Sequence, residues 1–324
     1  MSQSVTLEQV IYKESGMRNL LISVAIAIVS YAVGHYFGGS WLAGIPTGLL
    51  GFLIPFFLLV RSSMNKLQAI SQKAMAVVQE GQLASQRTQD AGKMVQALEQ
   101  GLQMFEDGLV LGKEQFLLTE IIYAQMGALC YQGASVQLQV KMGEEMKNNR
   151  VAMSRCDSKA KQFFGRSREY LERAHSKDWV LSIVRNWQGP GMLAAMEFRE
   201  GKKKEAIERL SKCKSVGKTD PLFWAVYAYM LHENGQQTDA LITVNEGLDK
   251  NNASEALKQM AESISNQKEI DTLAFGMLWF SIFPEQLTMP IAMKLQQEAQ
   301  EQGANGPDGG MNRKMRRMMK KKGI

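Results

Sequence analysis

Leu20 to Phe37 reads LLISVAIAIVSYAVGHYF, and Trp41 to Val60 reads WLAGIPTGLLGFLIPFFLLV. His35 is the one residue in either run that can carry a charge. A helix rises about 1.5 Å per residue, so ~20 residues cover the ~30 Å hydrocarbon core of a bilayer. Each run is long enough to cross, and only Gly38, Gly39 and Ser40 separate them. The pattern predicts a transmembrane helical hairpin over 19–60, with both ends on one side of the membrane. Everything after Val60 then leaves from a single surface. Lys13 and Arg18 precede the hairpin, Arg61, Lys66 and Lys73 come after it, and the link is uncharged. Positive flanks stay on the cytoplasmic side, which places the N- and C-termini in the cytoplasm. A signal peptide is the competing reading. It fits poorly, because the second apolar run comes at once with no small-residue cleavage site between. A re-entrant hairpin, kinked at Pro46 and Pro55, would give the same sidedness.

Upstream, residues 1–18 form a polar cytoplasmic N-terminus. Val10, Ile11 and Met17 either lie on the membrane surface or belong to a frayed end. Downstream, 61–100 is rich in Gln, Ala, Ser, Met and Lys and holds no proline. Met64, Leu67, Ala74, Val78, Val95 and Leu98 fall at heptad-like spacing. Gly81, Ser85, Thr88 and Gly92 occupy places where a strong coiled coil has Leu or Ile. The expectation is a helical stalk that self-associates, binds a partner, or stands as a solvated linker.

The region 101–300 carries a period. Gly201 and Gly235 lie 34 residues apart. Ala206, Ala240 and Ala274 repeat at 34, as do Leu210, Val244 and Leu278, and Cys213, Gly247 and Ser281. In the stretch LFWAVYAYMLHENGQQTDALITVNEGLDKNN, Trp224, Tyr227, Ala228 and Leu231 fit the first-helix pattern W-x2-L-G-x2-Y. Ala240, Val244 and Gly247 fit the second helix. Over roughly 120–286 the chain resembles the tetratricopeptide-repeat superfamily. The unit before matches through Ala194, Gly201, Ala206, Leu210 and Pro221, but lacks the aromatic that opens the first helix. Further upstream, YAQMGALC places Tyr123, Met126, Gly127 and Cys130 on the first-helix pattern. Its second helix, FGRSREYLERA, arrives late, after an extension or inserted loop from Tyr131 to Cys156. The last unit, from Ser254 to Gln286, keeps a second helix and has a poor first one. Its Phe275, Leu278, Trp279, Phe280, Ile282 and Phe283 are either buried under a cap helix at Thr288–Gln300 or form a partner surface.

The fold class expected is therefore all-α: hairpin, stalk, tetratricopeptide-like α-solenoid and basic tail. Residues 301–324 make the tail, a flexible linker and then MNRKMRRMMKKKGI. Arg313, Lys314, Arg316, Arg317, Lys320, Lys321 and Lys322 are basic, and Met311, Met315, Met318 and Met319 share one helical face. The formal net charge is +6, and residues 311–324 carry seven basic residues and no acidic one, so residues 1–310 net −1. The basic balance is thus a terminal feature, and the body carries no charge signature of a nucleic-acid-binding domain. Cys130, Cys156 and Cys213 form no C-x-x-C pair, which fits a reducing compartment.

Catalytic signatures are absent from the sequence: no phosphate-binding loop, dinucleotide fingerprint, nucleophile elbow or histidine metal motif. No cofactor and no enzyme activity are expected. His175 and His232 read as residues of polar helix ends. Glu144 and Glu145 are adjacent, so they point apart on a helix and read as solvated. The leading reading is a membrane-anchored, non-catalytic scaffold. The resemblance implies a protein partner on the face of the first helices, with Tyr123, Trp224, Tyr227, Tyr229 and His232 as candidate contacts. Packing is the competing role for Trp224 and Tyr227, while Tyr229 lies off the core pattern. The alternative is a membrane-tethered ribosome- or RNA-binding factor acting through the tail, which resembles those of insertases and signal-recognition components. Contact of the tail with anionic lipid needs fewer assumptions. The compartment favoured is a bacterial inner membrane. In a eukaryote, Lys321 and Lys322 resemble a di-lysine signal for the endoplasmic reticulum.

Overall fold

The computed structural model describes residues 18–38, 41–88, 90–114, 118–176, 186–295 and 297, apart from the side chains of Ala43 and Lys113. All regular structure among them is helical. Helix α1 (Arg18–Gly38) and helix α2 (Trp41–Thr88) are each long and apolar enough to cross a membrane. They run antiparallel at close range. A Cβ added at Gly51 would lie 2.5 Å from the Ser30 Cβ, and one at Gly48 would lie 3.0 Å from the Tyr31 Cβ. The glycines of the second run are thus contact points where two backbones approach. The outer faces are uncovered: Leu21, Val29 and Phe57 are each 63% exposed.

The second apolar run continues into the body without a break. Helix α2 passes through Pro46 and Pro55 and extends for 48 residues. The segment 61–100, expected as a stalk, is divided. Helix α2 stops at Thr88, and α3 (Ala91–Gly108) begins where Asp90 accepts a hydrogen bond from the Gly92 N–H at 2.8 Å. That cap satisfies one of the donors left free at a helix start. Helix α3 folds back along α2, with Gly81 abutting Ala97. Leu67, Ala74, Val78 and Leu98 are buried in a core shared with Leu118, Ile122 and Met126, while Met64 stays 42% exposed. The small residues that weaken a coiled coil let these two helices come together. The heptad-like seam is used inside the chain.

A 3-10 turn, Leu109–Lys113, leads toward α4 (Leu118–Met146), which pairs with α5 (Arg150–Ala174). The stretch Tyr131–Cys156 is therefore an extension of two helices joined at Asn148, which has a φ of 54°. Gly127 meets Leu171 and Gly133 meets the Phe163 ring, each too close for a Cβ. Ser167 Oγ donates to the Gly127 carbonyl at 2.8 Å and fixes the register of the pair.

Two shorter helical pairs come next. They are α6 (Gln188–Arg199) with α7 (Lys203–Ser211), and, after the short α8 (Lys214–Gly217), α9 (Pro221–Glu233) with α10 (Gln237–Lys250). Asp220 caps α9 through the Leu222 N–H, with Pro221 at the first helical position. Helix α11 (Glu255–Ser265) starts at Ser254, whose hydroxyl accepts from Leu257 N. Ala206, Leu210, Ala240 and Val244 are all fully buried.

The last unit departs from expectation. Its first helix, α11, is well formed, burying Leu257, Met260 and Ile264. Its second is replaced by a 3-10 turn, Thr272–Phe275, and a single helical turn α12 (Met277–Phe280). Gly276 between them has a φ of 58°, in a region only glycine enters readily. Ala274 is exposed and Leu278 is 64% exposed, while Trp279, Phe280, Ile282 and Phe283 are buried. Residues 289–295 are helical, with Ile291, Ala292 and Leu295 packed on the same core.

Candidate protein-binding surface

The aromatic candidates do not gather into one patch. Tyr123, on α4, stacks with Tyr170 of α5 at 6.0 Å and lies under the Arg173 guanidinium at 5.5 Å. Trp224 and Tyr227 are 4% and 7% exposed and pack inside the helical pairs. Trp224 donates its Nε1–H to the Lys218 carbonyl at 3.0 Å, and its Cβ fills the space over Gly247. Lys214 caps both rings at 5.6–5.9 Å. For these two, packing is the role the structure displays.

Tyr229 is taken up by its own chain. Trp279 and Phe283 meet its ring edge-on at 5.1 and 5.3 Å, and Gln286 Nε2 donates to its hydroxyl at 2.8 Å. The same segment is tied to two other helices. Tyr131 of α4, itself buried, donates its hydroxyl to the Ile282 carbonyl at 2.5 Å. Arg199, at the end of α6, pairs with Glu285 at 2.8 Å and lies 4.1 Å from the Phe164 ring centroid. Residues 279–287 thus form a strap across side chains of α4, α6 and α9. The apolar cluster, for which the sequence allows a core role or a partner role, is largely core.

Both His175 and His232 sit at C-terminal helix ends, as expected, and His175 is buried there. Neither ring nitrogen of His175 has a hydrogen-bond partner among the described residues, and the ring presses on Gly189. Burial, with Arg209 as the lesser cause, pushes this imidazole down to about 4. The His232 Nδ1 is likewise buried without a partner there.

Three residues that matter do not stand out in the sequence: Trp187, Tyr131 and Arg199. Trp187 supplies the aromatic missing from the first 34-residue unit. It is buried against Phe223 at 5.4 Å and donates to Asp220 Oδ2 at 2.7 Å. It lies three positions before the register of Trp224, so a strict repeat alignment passes over it. A Trp just ahead of a helix start is the available signal. Tyr131 and Arg199 act over separations of 151 and 86 residues, which no local pattern reveals.

At the base of the apolar helices lies a polar clasp. Asn19 of α1 donates to Ser63 of α2 at 3.1 Å, Ser63 donates to Glu114 at 3.2 Å, and Lys66 pairs with Glu114 at 2.9 Å. The Asn19 backbone N–H donates to the Glu114 carbonyl at 3.2 Å. The Lys66 hydrogen bond holds the Glu114 carboxyl below its ordinary range against the opposing effect of burial. The clasp joins α1, α2 and the loop before α4, and so fixes the helical body to the apolar pair.

Among the described residues, no group of three His, Cys, Asp or Glu could hold a metal ion. Cys130, Cys156 and Cys213 are free and buried. Burial pushes the Cys130 thiol up to about 12 and Cys213 up to about 11, so neither is a ready nucleophile. The basic tail residues Arg313, Lys314, Arg316, Arg317, Lys320, Lys321 and Lys322 lie outside the described residues. No family model and no curated protein matches the chain.

Proposed function

We propose that the chain is a membrane-anchored, non-catalytic scaffold that holds a tetratricopeptide-like helical body at the cytoplasmic surface. One observation carries the anchor. Of the most apolar stretch in α1 and in α2, only 11% and 6% of residues are buried. A core helix of a soluble protein is mostly covered by its own chain, whereas these faces need a cover from outside, and lipid supplies one. Helix α2 then enters the core of the body through Leu67, Ala74 and Val78. Anchor and body share one rod, and the clasp at Asn19, Ser63 and Glu114 keeps them aligned.

The repeat reading is supported by turns and by burial. Gly201 and Gly235 have φ of 81° and 79°, and the small residues beyond each pair with the preceding helix. Such helical arrays serve mainly as binding platforms, and fold alone does not name the ligand.

The buried native cysteines make a labelling test clean. Ser62→Cys in intact cells should react only after reagent reaches the cytoplasm, and Ser40→Cys only from the other side. Extraction of the full chain by alkaline carbonate, or opposite sidedness, would refute the anchor. For the tail we favour anionic lipid. A 311–324 peptide should sediment with anionic vesicles and lose binding as salt rises, because screening shortens from ~10 Å at 0.1 M to ~3 Å at 1 M. Displacement by RNA at low micromolar concentration would favour the ribosome- or RNA-binding alternative instead.

A further inference from the structure

Between α2, α4 and the strap lies a cleft of about 570 Å³, within the usual range of ligand sites. Its walls are apolar: Phe105 and Leu129, Phe280 of the strap, and the thioethers of Met75, Met192 and Met277. Met75 and Met277 are 52% and 55% exposed and flank its mouth. Among the described residues no Asp, Glu, Lys, Arg or His lines it, in a chain of which 22% is charged. The polar groups present are neutral. Gln125, Gln132 and Gln139 recur at a spacing of seven along α4, with Ser71, Ser135 and Ser281 beside them. The Gln125 Oε1 is buried and accepts no hydrogen bond among the described residues. A buried acceptor left unpaired is unfavourable, so a ligand that donates to it gains what the free protein lacks.

We infer that this cleft binds an uncharged, apolar peptide segment of a partner protein. The inference rests on the scaffold reading and names its contact surface. Three observations choose a peptide over other occupants. Carboxamides offer donors and acceptors that match a peptide backbone, and a hydrocarbon chain would strip them of water without replacement. Ser71 lies 11 residues past Val60 on one helix, roughly 16 Å beyond the end of the apolar run, so an acyl chain would have to leave the bilayer to arrive. The basic tail of this chain is a poor occupant, because no carboxylate among the described lining residues would pair with it. Methionine walls adapt to apolar side chains of different shape, which suits recognition of a class of segments rather than one sequence.

The test uses the full chain in lipid nanodiscs, titrated by fluorescence anisotropy. The probe is a labelled nine-residue peptide of leucine, methionine and serine with blocked ends, beside a version carrying three lysines and beside oleate as competitor. The neutral peptide should bind, the lysine version at least tenfold more weakly, and oleate should not displace it. Met75→Lys and Met277→Lys, at sites more than half exposed, should weaken binding at least tenfold with unchanged melting temperature. Gln125→Leu should hold or raise the melting temperature while weakening binding about threefold, a split that a purely structural role for Gln125 would not produce. Absence of binding to the wild type, wild-type affinity in Met75→Lys, or displacement by oleate would overturn the inference. Correct sidedness of Ser62→Cys with no peptide binding removes the cleft alone. Reversed sidedness with intact peptide binding removes the anchor and leaves the cleft.

Discussion

Three units of this chain share a 34-residue spacing, yet the first two and the third use it differently. In the first two, α6 and α9 end on Gly201 and Gly235, both left-handed. Lys202 N bonds the Glu197 carbonyl and Gln236 N bonds the Leu231 carbonyl, each at 2.9 Å. These are the same glycine-terminated helix ends. They aim the next helix so that Ala206 and Ala240 are buried. The third equivalent position is Glu269. The helix ends instead at Gln267, in the same left-handed turn without a glycine, with a φ of 53° and a Lys268 N bond to the Ser263 carbonyl at 2.8 Å. The stop comes 32 residues after Gly235 rather than 34. The segment that follows is a 3-10 turn and a single helical turn parted by Gly276, and in it Ala274 and Leu278 are exposed. The apolar weight shifts to Trp279, Ile282 and Phe283, which become the strap. The small-residue spacing is kept in all three units, whereas the glycine at the turn and the position of the turn are kept only in the two that close as helical pairs.

The largest expected effect comes from placing a charge at a position the closed units bury. Ala240 has no exposure and sits between α10 and α9. Ala240→Arg should destabilise by about 3–5 kcal/mol, the cost of an unpaired buried charge plus overpacking. Denaturant melts of the full chain in detergent would measure it. A loss below about 1 kcal/mol would mean that the second unit is not a close helical pair.

The first unit also has an upstream boundary, where His175 presses on Gly189 of α6. Its folded imidazole sits near 4, below its ordinary 6.5. A base depressed on folding binds more protons when unfolded. Its contribution is therefore complete above about pH 6.5 and is lost as pH falls toward 4, by up to about 3 kcal/mol. Glu114 is held low by Lys66 against desolvation, and Glu200, whose desolvation is outweighed by Lys202 and Arg168, is also held low. Both contributions are present above the ordinary carboxylate value of 4.5 and are lost as pH falls through and below it. The slope between pH 6.5 and 5 thus belongs to His175. His175→Leu should flatten it in pH-dependent thermal melts. An unchanged slope would move the titration elsewhere.

Gly235 tests the turn itself. Nothing lies within 4 Å of a Cβ built there, so a substitution meets backbone strain and no clash. Gly235→Ala should cost about 1–2 kcal/mol, the penalty of a left-handed L-residue. If it is neutral, turn chemistry does not distinguish the closed units from the third.

The same contrast separates what the sequence displays from what it hides. The apolar pair is legible because 18 to 20 residues without ionised side chains have few explanations. The first two units are legible because a glycine, an alanine and a branched apolar residue recur together. The third misleads because Ala274, Leu278 and Ser281 keep the spacing while Glu269, the position that matters for the turn, breaks it. The return of α3 along α2 is hidden in residues that look too small for a coiled coil, Gly81 and Ala97. The strap, the clasp and the cleft depend on pairs such as Tyr131 with Ile282 and Asn19 with Ser63, which no periodicity connects. The cleft's neutral glutamines, Gln125, Gln132 and Gln139, show in the sequence as a seven-residue spacing along one helix face, but spacing alone does not place a wall opposite them.

The smallest expected effect is the sharpest test of the difference between the units. Ala274 is in register with Ala206 and Ala240, so a strict repeat treats all three alike. Here Ala274 lies in an exposed 3-10 turn between Asp271, which caps it through Leu273 N at 3.0 Å, and the left-handed Gly276. An arginine side chain at that position enters water, buries no charge and displaces no packed neighbour. Surface substitutions of this kind stay within about 0.5 kcal/mol. Ala274→Arg should therefore melt with the wild type, while Ala206→Arg and Ala240→Arg lose most of their stability. Ala274 does not line the cleft, so peptide binding there should also be unchanged. If Ala274→Arg proves as damaging as Ala240→Arg, position 274 is packed in solution. The third unit would then close like the other two, and the strap from Trp279 to Leu287 would have to lie elsewhere.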